Sequence, residues 1–317
     1  MSSSTSLPTS SKEYRHNGND GNVPGTETTP PPLSRRGRYT IPRLLPILDH
    51  AEPPIYIPGY ASAPKADDIN LSTAENYLLR PRLIPKYLEY LNRDFDAVDL
   101  SYVSGFGGAP DLLSGLARLF NNYFDPKVEV ISSHIATAPG ASHLLQSVMY
   151  HVCNEGDAVM IQTPYWPGFD EALILRDGLT AVPVDVPFYG EGADPFGPGI
   201  VAKYDEVFEK SEKKITAMII CNPQNPLAGY YPEETMKRLL LFAKKHNLHV
   251  VVDELYALSV FKPGQLENRF RSVLSIDLDE LGVDRGKIHV VYSFSKDLNS
   301  SGVRLVSTVP SSSRCSC

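Results

Sequence analysis

Long apolar runs are missing from this sequence. No stretch of its 317 residues stays apolar for the roughly 20 residues that a membrane-spanning helix needs, so we predict no membrane span. The N-terminal segment also lacks the apolar core of a secretory signal peptide. We therefore expect a soluble, cytoplasmic protein that does not act at a membrane.

Cysteine is scarce as well. Two of the four cysteines lie in apolar segments, Cys153 and Cys221, and two lie in the tail, Cys315 and Cys317. This set is no disulfide framework, which favours a reducing compartment. The Cys-x-Cys end is only a very weak indication of a metal, and we predict no metal site.

Basic clusters are absent too. The formal net charge is −7 and no block of Lys and Arg stands out, so we predict neither nucleic acid nor an anionic membrane as a partner. What the chain does contain is 42% hydrophobic and 21% charged residues, the composition of a soluble globular protein. Its length suffices for one large or two medium domains.

The first 104 residues differ from the rest. Residues 1–38 are rich in Ser, Pro, Gly, Asn and Thr and cannot bury enough apolar surface, so we expect a disordered N-terminal tail. Residues 39–104 are dotted with proline and carry one helical pattern, "RLIPKYLEYLNRDF". We expect an N-terminal arm or small lobe there.

Regular patterns follow in residues 105–310. Helix patterns occur in "PDLLSGLARLFNNYF", where Asp111 is a candidate N-cap, in "SHLLQSVMYHVC" behind Gly140, and in "PEETMKRLLLFAKKHN". Four short apolar runs have the pattern of strands: "DAVMIQ", "ITAMIIC", "LHVVVDE" and "IHVVYSFS". Apolar strands that alternate with helices predict a mostly parallel sheet covered on both faces, a three-layer α/β/α fold.

Polar side chains stand at the ends of these predicted strands. Asp253 ends one strand, Ser293 to Lys296 end another, and "CNPQNP" follows a third. Because ligands of such sheets bind at the carboxyl ends of the strands, we expect a ligand among these residues.

Lys296 is the most informative of them. A lysine at a strand end usually points into solvent, but a period of two places Ser293 and Ser295 together on one face, and small hydroxyl groups suit an anion. A partly buried lysine has the lowered pKa that lets it attack a carbonyl as the free amine. Arg304 adds a donor suited to phosphate. These features indicate an aldehyde cofactor that carries a phosphate, pyridoxal 5′-phosphate (PLP).

Three other residues fit the same cofactor. The carboxylate of Asp253 could simply cap the next turn, or it could pair with the pyridine nitrogen of PLP. Tyr256 and Asn225 could both reach the phenolic 3′-oxygen. The segment "CNPQNPLAG" around Asn225 is a turn on either interpretation.

Two further segments have an ordinary and a functional interpretation. In "QTPYWPGFD", Tyr165 or Trp166 could be a core aromatic residue or a ring stacked on the pyridine. In "APGASHLL", the backbone N–H groups at Ala141 and Ser142 could bind phosphate, or the turn could be a plain helix start.

The joint order of the motifs is more specific than any one of them. That order is "APGASH", "TPYWPGFD", "NPQNPLAG", "DELY", "SFSKDLNSSGVR". Over roughly residues 69–304 the chain resembles the fold-type I PLP enzymes, and among them the class I/II aminotransferases. The segments "PYWPGFD", "SFSKDL" and "LSTAENYLL" are most similar to the branch that contains 1-aminocyclopropane-1-carboxylate (ACC) synthase.

The resemblance implies a role for each site residue. It makes Lys296 the Schiff-base lysine and the base that moves the substrate's α-proton, with Asp253 on the pyridinium. It also implies binding of the 3′-oxygen by Tyr256 and Asn225, stacking by Tyr165 and a substrate-side position for Glu75. The phosphate would be bound by Ala141, Ser142, Ser293, Ser295 and Arg304. It further implies an amino acid as substrate, residues 105–310 as the PLP-binding domain, part of a small domain within residues 39–104, and a homodimer for full-length members.

The chain departs from the family in three places. Ala228 stands where the family has glycine, and Phe106 stands where it commonly has tyrosine. After Arg304 the family continues into a C-terminal domain with the arginine that binds the substrate carboxylate. This chain instead reads "VSTVPSSSRCSC", without periodicity, and we expect residues 311–317 to be an aberrant tail.

Several activities stay open at this point. Transamination and ACC-synthase-like elimination share loss of the α-proton, so the cofactor residues do not separate them. A PLP-dependent carbon–sulfur lyase of secondary metabolism is a further alternative. A truncated product that binds PLP without turnover is another.

Overall fold

The structure is a computed structural model, and it describes Ser34, Arg38 and residues 74–102, 107–260 and 270–310. The chain divides into two units, residues 1–52 and 53–317. In the first unit only Ser34 and Arg38 are described, and the amide of Arg38 donates to the carbonyl of Ser34 (3.0 Å). The predicted disordered tail apart from Ser34 and Arg38, most of the predicted arm, Phe106 and the predicted tail 311–317 therefore lie outside the described residues.

The described part of the second unit contains seven helices and seven strands, short 3-10 turns aside. The helices are α1 (Arg80–Asp94), α2 (Pro110–Tyr123), α3 (Ala141–Val152), α4 (Gly168–Asp177), α5 (Val201–Lys210), α6 (Glu233–Lys245) and α7 (Phe294–Asp297). The strands are β1 (Ala136–Pro139), β2 (Ala158–Thr163), β3 (Thr180–Asp185), β4 (Ile215–Cys221), β5 (His249–Asp253), β6 (Ile288–Ser293) and β7 (Leu305–Pro310).

All seven strands form one sheet in the order β1-β7-β6-β5-β4-β2-β3. Strands β2 to β6 are parallel to their neighbours within that set, whereas β7 runs antiparallel to both β1 and β6. The predicted mostly parallel α/β/α fold is confirmed. The antiparallel strand β7 was not predicted, because "LVSTVP" showed no periodicity.

The core lies on both faces of the sheet, as the alternation of strand side chains requires. On one face, residues such as Met218, Val250 and Tyr292 pack against α2, α5 and α6. On the other face, residues such as Ile219 and Val251 pack against α3 and α4. Each central strand is therefore buried on both sides, which explains its continuous apolar sequence.

Some local predictions were wrong or incomplete. Ala109 occupies the N-cap of α2, so Asp111 lies in the first turn, where its charge still suits the helix dipole. Strand β3 was missed because Pro183 interrupts its pattern, which an edge strand tolerates. Strand β1 and helices α4 and α5 were also missed. Among the described residues, no helix combines the length and the apolar character that crossing a bilayer would need.

Candidate cofactor site

A cavity of about 440 Å³ opens at the carboxyl ends of the central strands, on the face covered by α3 and α4. Its size lies within the range of small-molecule sites. Eight of the residues predicted from sequence line it: Ala141, Ser142, Asn225, Asp253, Tyr256, Ser295, Lys296 and Arg304. Tyr165, Ser293 and Glu75 do not line it.

Strand register brings the two ionisable residues together. Asp253 ends β5 and pairs with Cys221 of β4 on one side and Val291 of β6 on the other. These side chains share the face that α3 covers. Lys296 follows three residues after the end of β6, so both ionisable groups border the same cavity.

The carboxylate of Asp253 sits deep in the protein. It accepts a hydrogen bond from the backbone N–H of Leu255 (3.1 Å). Burial raises the pKa of Asp253 to about 6, against the opposing effects of that hydrogen bond and of the Lys296 charge. Asp253 is therefore mostly ionised at pH 7 and able to pair with a cationic ring nitrogen.

Lys296 lies in the short helix α7 and not in a strand. Its amine donates to the carbonyl of Ala74 (3.4 Å). Burial lowers the pKa of Lys296, and the negative charges of Glu75 and Asp253 act in the opposite direction. The lowered pKa increases the fraction of neutral amine, the form that attacks a carbonyl.

The predicted strand period of two does not explain why Ser293 and Ser295 lie together, because Ser295 and Lys296 belong to helix α7. Strand β6 ends at Ser293, whose side chain caps α7 by accepting the N–H of Ser295 (3.1 Å). The two hydroxyl groups do meet, at 2.8 Å, but because of this cap. Ser293 also donates to the carbonyl of Leu305 (3.1 Å) and is only 1% exposed. Ser295 therefore faces the cavity, and Ser293 supports it from behind.

The other end of the cavity has the features of an anion site. Helix α3 begins directly after Gly140, whose φ of +98° strongly favours glycine. A Cβ atom at Gly140 would overlap the guanidinium of Arg304. Helix N-termini attract anions, and guanidinium groups bind phosphate, so this end combines two phosphate-binding devices.

The contact between Gly140 and Arg304 follows from strand pairing. Strands β1 and β7 are antiparallel, with Pro139 opposite Leu305. Gly140 is the next residue after β1, and Arg304 is the residue just before β7. Antiparallel pairing therefore places these two residues opposite each other at the end of the sheet.

Tyr256 and Asn225, the residues expected at the phenolic oxygen of PLP, border the cavity. Burial raises the pKa of the Tyr256 hydroxyl to about 12, so at neutral pH it is a hydrogen-bond donor. Both residues also border a neighbouring cavity of about 350 Å³ that includes Ala228. Ala228 adopts a φ of +55°, a conformation that glycine takes more easily, in agreement with the family's glycine at this place.

Of the two neighbouring aromatic residues, Trp166 lines the cavity and Tyr165 does not. The hydroxyl of Tyr165 donates to Asp170 (3.0 Å) in the first turn of α4, which turns the ring away. The ring of Trp166 stands edge-on to Phe169, with centroids 5.5 Å apart. Sequence alone offered both aromatic residues of "PYWP", and nothing in it distinguished which ring borders the cavity.

Glu75 lies near the cavity but is engaged elsewhere. One carboxylate oxygen pairs with the guanidinium of Arg80 (2.9 Å), and the other accepts the hydroxyl of Ser301. Glu75, which was predicted on the substrate side, therefore belongs to a hydrogen-bond network that links residues 74–80 to the turn before β7.

Among the hydroxyl, thiol, amide and charged residues of the cavity wall, sequence reasoning missed Cys221 and Ser301. Cys221 could have been found, since it ends strand β4 directly before "NPQNP". Ser301 lies in a 3-10 turn, and no pattern marked it.

These residues fit PLP. An amine and a carboxylate border one part of the cavity, while a helix N-terminus, a serine hydroxyl and a guanidinium border another. An aldehyde, a ring nitrogen and a phosphate need this combination of partners. Because Gly140 has no Cβ atom, the guanidinium of Arg304 can lie directly beside the backbone at the start of α3, where a phosphate would bind.

The fold and this cavity define the class: the fold is that of the PLP-dependent transferases. Residues 66–316 match the model of the family described as aminotransferase class I and II, and the chain belongs to that family. Members of the family use PLP. The match extends beyond Arg304, where the resemblance noted from the motifs stops.

Individual relatives agree with this assignment. The chain is 37% identical over 244 residues to the probable aminotransferase gliI of Aspergillus fumigatus, which covers 76% of this chain and 55% of the relative. It is 30% identical over 203 residues to 1-aminocyclopropane-1-carboxylate synthase 4 of Solanum lycopersicum, covering 63% of this chain and 41% of that one. The chain thus spans about half the length of the curated relatives it matches.

A solved structure shows the same fold. The aspartate aminotransferase of Thermotoga maritima superposes with a TM-score of 0.59 at 20% identity, over 88% of this chain and 64% of that one.

Proposed function

We propose that the chain is a PLP-dependent enzyme that acts at the α-carbon of an amino acid, with transamination as its reaction. The observation that carries the proposal is the shared cavity of Lys296 and Asp253, with Arg304 and the start of α3 at its other end. Because the chain spans about half of its relatives, the activity and the substrate of the whole protein belong to the proposal.

Lys296 and Asp253 would serve the reactive part of the cofactor. When bound, PLP supplies an aldehyde carbon that bonds to amines and a pyridine ring that takes up electron density from the α-carbon of the substrate. Lys296 would hold the aldehyde carbon through Nζ and later, as the free amine, move the α-proton. Asp253 would keep a proton on the pyridine nitrogen.

The remaining residues would bind and orient. Ser295, Arg304 and the backbone N–H groups at Ala141 and Ser142 would hold the phosphate. The hydroxyl of Tyr256 and the amide of Asn225 would donate to the phenolic oxygen. Trp166 would cover the ring in the position first given to Tyr165.

The comparisons favour transamination over elimination. The relative named an aminotransferase is 37% identical, against 30% for the ACC synthase. Incubation of the PLP-loaded protein with an amino donor should produce pyridoxamine phosphate. Release of a keto acid and ammonia without pyridoxamine phosphate would instead indicate a lyase, such as the carbon–sulfur lyase alternative.

The first experiment concerns the cofactor. Purified protein is mixed with PLP, its visible absorbance is recorded, and borohydride is added before peptide mapping. We expect a visible band that borohydride removes and a phosphopyridoxyl group on the peptide that contains Lys296. A folded protein without a band would overturn the site. A band without turnover on any amino acid would identify a PLP-binding product that does not catalyse.

The domain division, the assembly and the location are part of the proposal as well. We assign an arm and part of a small domain to residues 39–104, a PLP-binding domain to residues 105–310, a homodimer and a cytoplasmic location. The exposed apolar side chains of α1 support a further contact surface, since the helix has no buried residue and Ile84, Leu88 and Leu91 are each more than half exposed. Analytical ultracentrifugation of the PLP-loaded chain would test the dimer.

A further inference from the structure

Asp297 directly follows Lys296 and binds a different part of the chain. One of its carboxylate oxygens accepts the backbone N–H of Leu258 (2.9 Å), and the other accepts the hydroxyl of Ser259. Successive helical residues project about 100° apart, so in α7 the amine of Lys296 borders the cavity while the carboxylate of Asp297 reaches the neighbouring turn.

The turn that Asp297 holds begins at Tyr256. Residues 257–259 form a 3-10 turn in which the N–H of Ser259 donates to the carbonyl of Tyr256 (3.0 Å). Its outer side is open to solvent, with Leu258 38% exposed and only Ala257 buried. A turn with so little buried apolar surface depends on its hydrogen bonds for its position.

The two bonds stabilise the carboxylate of Asp297 against its burial. Burial raises the pKa of Asp297, and the hydrogen bonds from Ser259 and Leu258 act in the opposite direction by stabilising the carboxylate. The link therefore runs from the lysine helix α7 through Asp297 to the Tyr256 turn.

We propose that Asp297 is a positioning residue that holds the Tyr256 side chain against the cavity of Lys296 by fixing the 257–259 turn. The proposal rests on the proposed function, because it assigns Tyr256 to the phenolic oxygen of PLP. It does not give Asp297 any contact with cofactor or substrate.

The test uses the absorbance of the full PLP-loaded chain as a function of pH. A donor to the phenolic oxygen stabilises its negative charge, so Tyr256→Phe should raise the spectroscopic pKa of bound PLP by about one unit or more. Asp297→Ala should raise it by a comparable amount in the wild-type background. In the Tyr256→Phe background the same substitution should leave it unchanged, because the residue it positions is already without its hydroxyl.

A conservative variant separates position from charge. In Asp297→Asn the amide oxygen can still accept the N–H of Leu258, and the amide nitrogen can donate to Ser259. We expect Asp297→Asn to keep the wild-type spectroscopic pKa. If it shifts this pKa as far as Asp297→Ala does, the charge acts directly and the positioning role is wrong.

The chain offers a matched control pair of serines. Ser259 donates to Asp297, and Ser272 donates to the buried Glu254 (2.7 Å). Ser259→Ala should shift the spectroscopic pKa in the same direction as Asp297→Ala, by less, while Ser272→Ala should not shift it. Thermal unfolding of each variant identifies any that fails to fold. If Asp297→Ala does not fold, Ser259→Ala still tests whether the 257–259 turn positions Tyr256.

The outcomes distinguish the two proposals. If wild-type protein shows no PLP band, the proposed function fails. If the band is present and neither Asp297→Ala nor Ser259→Ala shifts its pKa, or the shift persists in the Tyr256→Phe background, the positioning role of Asp297 is wrong while the proposed function stands.

Discussion

Partly or fully buried ionisable groups lie near both ends of strands β5 and β6. At the carboxyl ends, Asp253 and Lys296 border a cavity. Near the amino ends, the rings of His249 and His289 are stacked, and Nδ1 of His249 lies 3.2 Å from Nε2 of His289. Burial lowers the pKa of His289 to about 4, as it raises the pKa of Asp253 to about 6.

The difference between the two ends lies in what the groups face. The histidines face each other, so burial keeps them neutral and they serve packing. At the other end, groups of opposite charge face a space that a ligand can fill. A shifted pKa alone therefore does not identify a functional site; a shifted pKa on a cavity of suitable chemistry does. Substitutions at the carboxyl ends of the strands should therefore change PLP binding or turnover. Substitutions of the histidines at the amino ends should change only the free energy of unfolding.

The largest effect is expected for Lys296→Ala. Without the amine, borohydride should attach no PLP to the chain, and turnover should fall by about 100-fold or more because proton transfer loses its base. Peptide mapping and an amino-donor assay measure the two effects. Lys287→Ala is the matched control, since the amine of Lys287 binds the carbonyl of Asn247 (3.1 Å) next to the amino end of β6. Equal loss in both variants would contradict the comparison.

Asp253→Asn should leave PLP attached but lower turnover by about 100-fold, because the ring nitrogen loses its anionic partner. The variant should also change stability in a defined direction. The folded pKa of about 6 lies above the ordinary value of 3.8, so wild-type protein without PLP loses stability as the pH rises from about 4 to 6, and the variant should lack this loss. Urea unfolding at both pH values measures it.

His289→Gln tests the histidine end. The folded pKa of about 4 lies below the ordinary 6.5, so between these values the unfolded chain binds a proton that the folded chain does not. Stability is therefore present above pH 6.5 and falls by about 3 kcal/mol on acidification to pH 4. The variant should lose less stability over this range and should bind PLP like wild type. A changed PLP band would mean that the two ends are not independent.

Ala228→Gly is expected to have the smallest effect. With a φ of +55°, alanine is strained where glycine is not, so the substitution should raise the free energy of unfolding by up to about 1 kcal/mol. The PLP spectrum should stay the same, although the residue lies near the cavity end. A lower unfolding free energy would show that the methyl group of Ala228 contributes more by packing than its conformation costs.

The sequence predicted the central strands well, because burial on both faces leaves an unbroken apolar run. It failed for β3 and β7, where edge position or mixed polarity removes that pattern. The cavity residues at strand ends were predicted for the same reason, since the end of a recognisable strand fixes their place. The choice of Trp166 over Tyr165 and the supporting role of Ser293 could not be predicted, because they depend on a turn and a helix cap whose geometry no periodicity records.

The pairing of β1 with β7 also governs when the phosphate end can form. Gly140 and Arg304 come from distant parts of the chain and meet only after β7 has entered the sheet between β1 and β6. A long loop must close before this contact exists, which makes it a late event in folding. During refolding, PLP binding should therefore occur later than the formation of helical structure. The time course of PLP binding should follow the pairing of β7 with β1 and β6.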